Sequence, residues 1–552
     1  MGRHGGDAAA GRPGLAPWAA GTAGRRARVA MLAEGTYPYV TGGVSTWCDQ
    51  IIRGMPEYDF EIVAVVATAG RPLAWTLPDN VVGVSSAALW GFVPEDKPPR
   101  GDDRSAFLDA LRPFVQSILE PHLEDATFAL GLMGLFEFAQ RHSLTSALMS
   151  DDAAELLGQE WELSRADKVS VLEVMKALEL LEHSLRPLAA PVVRADLCHA
   201  TSNGLPSLLA LMAKWRYGTP FIMSEHGVYL RERYLAFQTF DTPWSVKYLV
   251  LSFYRRLTRL AYGEASVIAP VNVYNQRWEI EHGADPDIIV TALNGVDVEK
   301  YPVADDEPDD QIIAWVGRID PLKDLETLID AFGRLQRRMP RVWLDLYGPV
   351  PAGNEKYYKK LRELVARRHL GTRVQFRGSV SPVSKAYHGA RVIALSSVSE
   401  GLPYTVIEAM MSGRATVSTD VGGVREVVGD TGLLVPPRDP KALADALERV
   451  LSDDELRHDL ARRAAVRGRS YFPLEQMLGT FRSEYAMLIE PQAPEFTEWP
   501  DVSDDDDDVP SDLDATLDPN ETEPEPLLRM VPIQQQGAAS EYASRTTGGE
   551  GG

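Results

Sequence analysis

The fold is indicated by the stretch from Arg28 to Ala67, which contains RVAMLA (Arg28–Ala33), the loop EGTYPYVTGGVS and the run EIVAVVA (Glu61–Ala67). The two apolar runs predict buried strands, and the amphipathic segment that begins near Ser45 predicts a helix between them. This strand–loop–helix–strand order is typical of the start of a parallel, doubly wound sheet. We therefore predict an α/β protein.

The same pattern continues along the chain with one interruption. Further strands are predicted at Ala195–Ala200, Pro220–Glu225 and Ser266–Pro270, whereas residues 95–187 show only the 3.6-residue periodicity of helices. We interpret 95–187 as a helical insertion within the first domain. The first domain ends near NGVD at Asn294–Asp297.

A Pro- and Asp-rich connector, PVADDEPDD, then precedes a second series of strands. These strands are predicted at Gln311–Val316, Trp343–Tyr347, Val374–Arg377, Val392–Leu395 and Ala415–Ser418. We predict a first domain over 27–300, a second over 301–473, and a helix at 474–490 that crosses back to the first. Two doubly wound domains place a cleft at the carboxyl ends of their strands.

Composition excludes several classes of protein. The chain has 552 residues, 45% of them apolar, and no apolar run reaches the ~18–20 residues of a membrane-spanning helix. Two cysteines form no disulfide framework, so we expect a cytoplasmic protein. The segments 1–26 and 491–552 predict a disordered leader and a disordered acidic tail.

The net charge of −23 is concentrated in that tail, where 16 acidic residues face 2 arginines. The remainder carries −9 and offers no strongly basic face, which argues against a nucleic acid partner. A solubilising role for the tail is the simplest interpretation, and a docking or regulatory role is the alternative.

The most informative motif is SEGLPYTVIEAM at 399–410. The Gly-Leu-Pro that follows Glu400 predicts that this glutamate lies on a loop beside free helix amides, and Glu408 lies about one turn into the helix. Such amides bind phosphate or sugar hydroxyls, and carboxylates accept hydrogen bonds from hydroxyls. On spacing alone, a solvated pair of glutamates is the stronger interpretation.

Three other motifs follow predicted strands. Arg318 and Lys323 in WVGRIDPLKDL suit a diphosphate, or else ion pairs with neighbouring aspartates. Gly42 and Gly43 precede a helix and permit close approach of a ligand, or simply form a tight turn. His226 in SEHG ends a strand and faces the cleft, although a lone histidine is more often structural. No metal-binding spacing is present.

Taken together, these motifs resemble those of the retaining family-four glycosyltransferases of GT-B fold, over about Arg28–Glu490. EGLPYTVIEAM resembles their paired-glutamate element, VGRIDPLKD their diphosphate site and NGVD their interdomain hinge. EGTYPYVTGGVSTW, SEHGVYLRER and VYNQRWEIEHGADP are similar to the PelF-type exopolysaccharide enzymes. The resemblance implies two Rossmann-like domains that face a cleft, the first binding the acceptor and the second the donor.

The resemblance also implies roles for individual residues. Arg318 and Lys323 would neutralise the leaving diphosphate, Glu400 would orient the donor hexose, and His226 would approach the sugar from the first domain. The substrate-binding positions would be Gly42 and Gly43 by the phosphates, the amides of Gly401 and Leu402 by the hexose, and Glu408 at the ribose.

The reaction implied is transfer of a hexose from a nucleotide sugar, UDP-glucose in the first instance, to a saccharide acceptor in exopolysaccharide synthesis. No cofactor and no metal ion are expected, and an association with membrane polysaccharide-export proteins is possible. Two alternatives stay open. One is an enzyme that acts on a small acceptor such as an inositol phosphate or a lipid. The other is a non-catalytic protein that binds sugar nucleotides within a polysaccharide machine.

Overall fold

The computed structural model describes residues 25–91, 97–165 and 168–489. The predicted tail and all but the last two residues of the predicted leader lie outside these ranges. Within them, no helix is long and apolar enough to cross a membrane.

The first half of the chain forms a parallel sheet of six strands in the order β3-β2-β1-β4-β5-β6. The strands are β1 Arg28–Glu34, β2 Asp59–Thr68, β3 Val81–Trp90, β4 Leu197–Ala200, β5 Phe221–Glu225 and β6 Val267–Pro270. The sequence interpretation did not include β3. This strand lies at the edge of the sheet and is half exposed, so it lacks the continuous apolar run of its neighbours.

Ten helices belong to this half among the described residues. They are α1 Gly43–Gly54, α2 Gly101–Leu119, α3 Asp125–Ala139, α4 Leu144–Leu148, α5 Asp151–Arg165, α6 Val171–Leu185, α7 Leu205–Tyr217, α8 Tyr229–Thr239, α9 Trp244–Glu264 and α10 Val273–Glu281. Helices α2 to α6 occupy the interval between β3 and β4 and share one apolar core with α7 and α9. The helical segment is therefore inserted into a doubly wound domain.

The second half repeats the architecture with the strand order β12-β11-β10-β7-β8-β9, again all parallel. Its strands are β7 Ile312–Val316, β8 Trp343–Tyr347, β9 Val374–Gly378, β10 Val392–Leu395, β11 Ala415–Thr419 and β12 Leu433–Val435. Its helices are α11 Leu325–Arg338, α12 Glu355–Arg367, α13 Ser384–His388, α14 Tyr404–Met411, α15 Val424–Val428, α16 Pro440–Ser452 and α17 Asp454–Tyr471. The three-residue β12 was not predicted.

The chain then returns to the first half through α18, Leu474–Ile489. Phe481 and Tyr485 of this helix are fully buried against the first sheet, and the Tyr485 hydroxyl lies 2.6 Å from Nδ1 of His199. The outgoing and returning segments meet at one place. There, the amide of Val296 donates to the carbonyl of Phe472 at 2.9 Å, and the amide of Leu474 donates to the carbonyl of Val296 at 3.0 Å.

Candidate active site

A cleft of about 700 Å³ lies between the carboxyl ends of the two sheets. This volume is within the range of small-molecule sites. Six residues predicted from the sequence line the cleft, namely Gly43, His226, Arg318, Lys323, Glu400 and Gly401. The other three predicted residues, Gly42, Leu402 and Glu408, lie outside its lining.

Lys323 and Glu400 form the central polar contact of the second half of the cleft. The Lys323 Nζ donates to Oε1 of Glu400 at 2.7 Å, and the Ser397 hydroxyl donates to the same oxygen. The two charged side chains are 24% and 10% exposed, so the pair is shielded more than a surface ion pair. Among the described residues, Lys323 pairs with this glutamate rather than with a neighbouring aspartate.

Lys323 is placed by a short turn after β7. The Asp320 carboxylate accepts from the amide of Leu322 at 3.0 Å and begins a 3-10 turn over Pro321–Lys323. Asp324 then caps α11, accepting from the amide of Thr327 at 3.3 Å. This turn ends at the lysine and points its long side chain across to the loop of Glu400.

Arg318 is exposed at the end of β7, on the wall opposite the glycine pair of the first half. A β-carbon built on Gly42 would lie 3.8 Å from Nη1 of Arg318, and one on Gly43 would lie 3.7 Å from the ring of Tyr404. The α1 loop therefore reaches across the cleft to the second half. The loop and the guanidinium approach each other closely, and Gly43 and Arg318 both belong to the lining of the cleft.

His226 follows β5 and packs edge-on against Trp47, with ring centroids 4.7 Å apart. Burial lowers the pKa of His226 to about 4, so its imidazole is neutral near pH 7. Its Nε2 is buried without a hydrogen-bond partner among the described residues. His199, in contrast, uses both ring nitrogens, on Tyr485 and on Ser224, which is a structural role.

The loop before α14 brings free backbone amides to the cleft, beside Glu400. Helix α14 begins at Tyr404, as the Gly-Leu-Pro segment predicts. Within the described part of the chain, the amides of Gly401 and Leu402 donate to no protein acceptor. The Leu402 side chain itself is buried, and its carbonyl accepts from Nδ2 of Asn294 at 2.9 Å. Free amides beside a carboxylate can bind the oxygens and hydroxyls of a sugar phosphate.

Glu408 lies on α14 and is not among the residues that line the cleft. Its carboxylate accepts a hydrogen bond from the Tyr387 hydroxyl. Burial raises the pKa of Glu408 above its ordinary value, and the hydroxyls of Tyr387 and Tyr301 partly offset the rise. The predicted contact with a ribose therefore requires a nucleotide that extends beyond the lining of the cleft.

The sequence interpretation did not single out several polar residues that line the first half of the cleft. Glu34 ends β1, and α8 supplies Arg231, Glu232 and Arg233. A signal for Glu34 existed, because a carboxylate directly after a buried strand lies at the carboxyl edge of the sheet. The described residues hold no cluster of three or more His, Cys, Asp or Glu that suits a metal ion.

Two family models match the chain. Residues 27–287 match a domain of unknown function (DUF3492), and residues 298–467 match the glycosyl transferases group 1. The boundary between the two matches falls near the hydrogen-bonded crossing at Val296.

Curated relatives are similar over part of their length. A D-inositol 3-phosphate glycosyltransferase from Corynebacterium efficiens is 30% identical over 226 residues, which are 38% of this chain and 53% of that protein. An alpha-D-kanosaminyltransferase from Streptomyces kanamyceticus is 33% identical over 192 residues, 33% of this chain and 47% of that protein. The chain thus spans about half the length of these relatives.

Solved structures are similar over nearly their whole length. The Anabaena protein Alr3699/HepE in complex with UDP superposes with a TM-score of 0.55 at 16% identity, covering 83% of this chain and all of that one. A sucrose-phosphate synthase from Thermosynechococcus elongatus gives a TM-score of 0.56 at 18% identity, covering 84% and 99%. The predicted fold is confirmed: the chain has the two Rossmann-like domains of a GT-B fold, and the second of them contains the match to the glycosyl transferases group 1.

Proposed function

We propose that the chain is a retaining glycosyltransferase that moves a hexose, glucose from UDP-glucose, to a saccharide acceptor in exopolysaccharide synthesis. The observation that carries the proposal is the convergence of Arg318, Lys323 and Glu400 in one cleft, opposite His226. Two cations can bind the diphosphate of a nucleotide sugar, and a carboxylate beside free amides can bind the hydroxyls of its sugar. The group 1 domain supplies all three of these second-half residues.

In this proposal the diphosphate of the donor binds Arg318 and Lys323. The guanidinium can clamp two oxygens, whereas the ammonium acts as a point charge. As the bond to the sugar breaks, negative charge grows on the diphosphate and the sugar becomes oxocarbenium-like. Cations held in place before the reaction stabilise that charge without reorganising.

Glu400 and the amides of Gly401 and Leu402 orient the hexose in the same proposal. The Lys323–Glu400 ion pair holds the carboxylate beside the diphosphate site, so sugar and leaving group are positioned together. Glu408 accepts from the ribose, and the Gly42–Gly43 loop covers the phosphates. His226 remains neutral and approaches the sugar from the first half.

The anomeric configuration of the sugar is retained if the acceptor hydroxyl attacks the anomeric carbon on the face that the diphosphate leaves. The hydroxyl then passes its proton to the leaving phosphate. That route requires no carboxylate base from the protein, and the proposal includes neither a base nor a metal ion. The choice of UDP-glucose is supported by the relatives' own ligands, since the Anabaena structures contain UDP, UDP with glucose, and UDP-glucose.

A second candidate is a glycosyltransferase that acts on a small phosphorylated acceptor. It is favoured by the names of the curated relatives, several of which are D-inositol 3-phosphate glycosyltransferases. The saccharide acceptor is favoured by the motifs that resemble PelF-type enzymes and by the polar groups on the first wall of the cleft, argued below.

The test is a donor screen followed by turnover. UDP-glucose, UDP-galactose, UDP-N-acetylglucosamine, ADP-glucose and GDP-mannose are each added to the full chain, and the melting temperature is measured. A ligand that binds only the native state raises it. We expect the largest rise with UDP-glucose, and release of UDP when acceptors are added. Tight binding of UDP-glucose without transfer or hydrolysis across a broad acceptor panel would instead indicate a non-catalytic binding protein.

A further inference from the structure

The wall of the cleft that the first half forms contains buried polar atoms without partners. Within the described residues, five polar atoms of side chains that line this wall are buried and make no hydrogen bond: Oε2 of Glu34, Oγ1 of Thr36, Nε2 of His226, Nε of Arg233 and Nδ2 of Asn275. Since buried polar atoms in native proteins are nearly always paired, five unpaired atoms on one wall indicate a ligand with several polar groups.

Glu34 is the acidic centre of this wall. It ends β1, and its Oε1 accepts from the Tyr229 hydroxyl at 3.4 Å, which leaves Oε2 for a ligand. Burial raises the pKa of Glu34, while the charge of Arg233 lowers it. Arg233 is held with its guanidinium 4.8 Å from the centre of the Tyr229 ring. Tyr229 thus positions both Glu34, which accepts hydrogen bonds, and Arg233, which donates them.

The charges on this wall are balanced. Glu34 and Glu232 face Arg231 and Arg233, so the wall has no excess of positive charge. The Glu232 carboxylate packs against Gly227, where a β-carbon would lie 2.5 Å from its Oε1. Arg318 and Lys323, which would bind the donor diphosphate, are on the opposite wall. A phosphate group of an acceptor would lie near the Glu34 carboxylate, on a wall with no net positive charge to offset the repulsion, which is unfavourable.

We propose that Glu34 and Arg233 bind two hydroxyls of an uncharged sugar, and that they select uncharged saccharide acceptors over phosphorylated polyols. The carboxylate accepts from one hydroxyl and the guanidinium donates to the other, as their chemistry dictates. The proposal rests on the proposed glycosyltransferase function and decides between its two acceptor classes.

The experiment compares Glu34→Gln with Glu232→Gln in the full chain. Both variants remove one negative charge from the same wall, but Oε2 of Glu34 is buried without a hydrogen-bond partner among the described residues, whereas Glu232 is exposed to solvent. Transfer from UDP-glucose is measured to gluco-oligosaccharides and to D-inositol 3-phosphate, with calorimetric binding of each acceptor in the presence of UDP. UDP affinity and hydrolysis of UDP-glucose without acceptor report the donor site separately.

We expect the wild-type protein to bind and use the oligosaccharides and not the inositol phosphate. Glu34→Gln should raise KM for the oligosaccharide about 10- to 100-fold, the loss typical of one hydrogen bond to a charged group. UDP affinity should not change. Glu232→Gln should change KM by much less, because it alters the electrostatic field near the acceptor but removes no hydrogen bond between Glu34 and the acceptor.

Three results would overturn the inference. The first is use of D-inositol 3-phosphate as well as, or better than, the oligosaccharides, and the second is failure of the oligosaccharides to bind. The third is an equal effect of the two variants, which would mean that Glu34 makes no contact. A wild-type protein that neither binds UDP nor hydrolyses UDP-glucose would contradict the proposed function itself. Failure of the acceptor inference can thus be told apart from failure of the proposed function.

Discussion

Gly401 lies directly against the backbone of His226: a β-carbon built on this glycine would lie 1.7 Å from the His226 carbonyl oxygen. The contact joins the loop before α14 to the loop after β5. Since the obstacle is backbone and not a mobile side chain, only a glycine allows this approach. The two loops that carry Glu400 and His226 are therefore in direct backbone contact in this structure.

We predict that Gly401→Ala lowers transfer from UDP-glucose by about 100-fold, because displacing a reacting group by about 1 Å can cost that much. The melting temperature should fall as well. Gly371→Ala is the control, since a β-carbon there meets no atom within 4 Å. Transfer rate and thermal unfolding are measured for both, and full activity of Gly401→Ala would show that the close approach is not needed.

The Lys323–Glu400 pair predicts a kinetic effect that a surface ion pair does not have. Lys323→Met should lower kcat/KM roughly 100-fold, as expected for one preorganised group that stabilises charge in the transition state. The control is Lys360→Met, which removes a lysine bonded to Glu326 at 2.9 Å but 62% exposed. Equal rates for Lys323→Met and the wild-type protein, with both folded, would remove this lysine from the mechanism.

Glu400 and Glu408 should behave differently when each is changed to glutamine. Glu400 lines the cleft, so Glu400→Gln should keep UDP affinity and lose most turnover. Glu408 is not in the lining and accepts a hydrogen bond from Tyr387, so Glu408→Gln should raise KM for the donor more than it lowers kcat. Calorimetry with UDP and steady-state transfer separate the two effects. If both variants lose UDP binding alike, the division of roles is wrong.

A buried carboxyl pair beneath the cleft predicts how stability depends on pH. Glu279 is fully buried near Glu225, whose carboxylate accepts from the Tyr262 hydroxyl at 2.6 Å. Burial, and then the charge of Glu225, raise the pKa of Glu279 well above its ordinary value of 4.5. Its carboxyl is therefore protonated in the folded protein at pH values where the unfolded chain has lost that proton.

It follows that stability falls as pH rises above 4.5 toward the raised pKa, by up to about 1.4 kcal/mol per pH unit for one proton. Glu279→Gln removes this proton, so the variant should be more stable than the wild-type protein at pH 8 and no more stable near pH 4. Urea unfolding at both pH values measures the difference. Glu281→Gln, exposed at the end of the same helix, is the control. A Glu279→Gln variant that is less stable at pH 8 would contradict the assignment.

The sequence predicted the central strands well because they are buried on both faces. Strands such as β7 and β10 consist of short apolar runs, and their observed limits differ from the predicted ones by at most one residue. The edge strand β3 escaped notice because Gly83 and the serines after it interrupt the apolar pattern. An edge strand needs less burial, so its sequence carries less signal.

The motifs predicted which residues are candidates, but not which of them touch. Lys323 and Glu400 are 77 positions apart, and their contact depends on β7 and β10 being neighbours in the sheet. Local hydrophobic periodicity does not predict the order of strands in a sheet. The surroundings of Glu34 could not be predicted either, because the hydroxyl that bonds its Oε1 belongs to Tyr229, on a helix far away in the sequence.

The chain crosses between the halves twice, and both crossings are hydrogen-bonded to each other at Val296. Gly295 tightens the place further, since a β-carbon there would lie 2.7 Å from Cα of Leu474. Two adjacent crossings act as a single pivot. A small rotation about it needs none of these hydrogen bonds to break, but it would separate Gly401 from His226 and so widen the cleft. We therefore expect substrate entry and product release to be controlled by the few backbone angles of this pivot rather than by a separate lid.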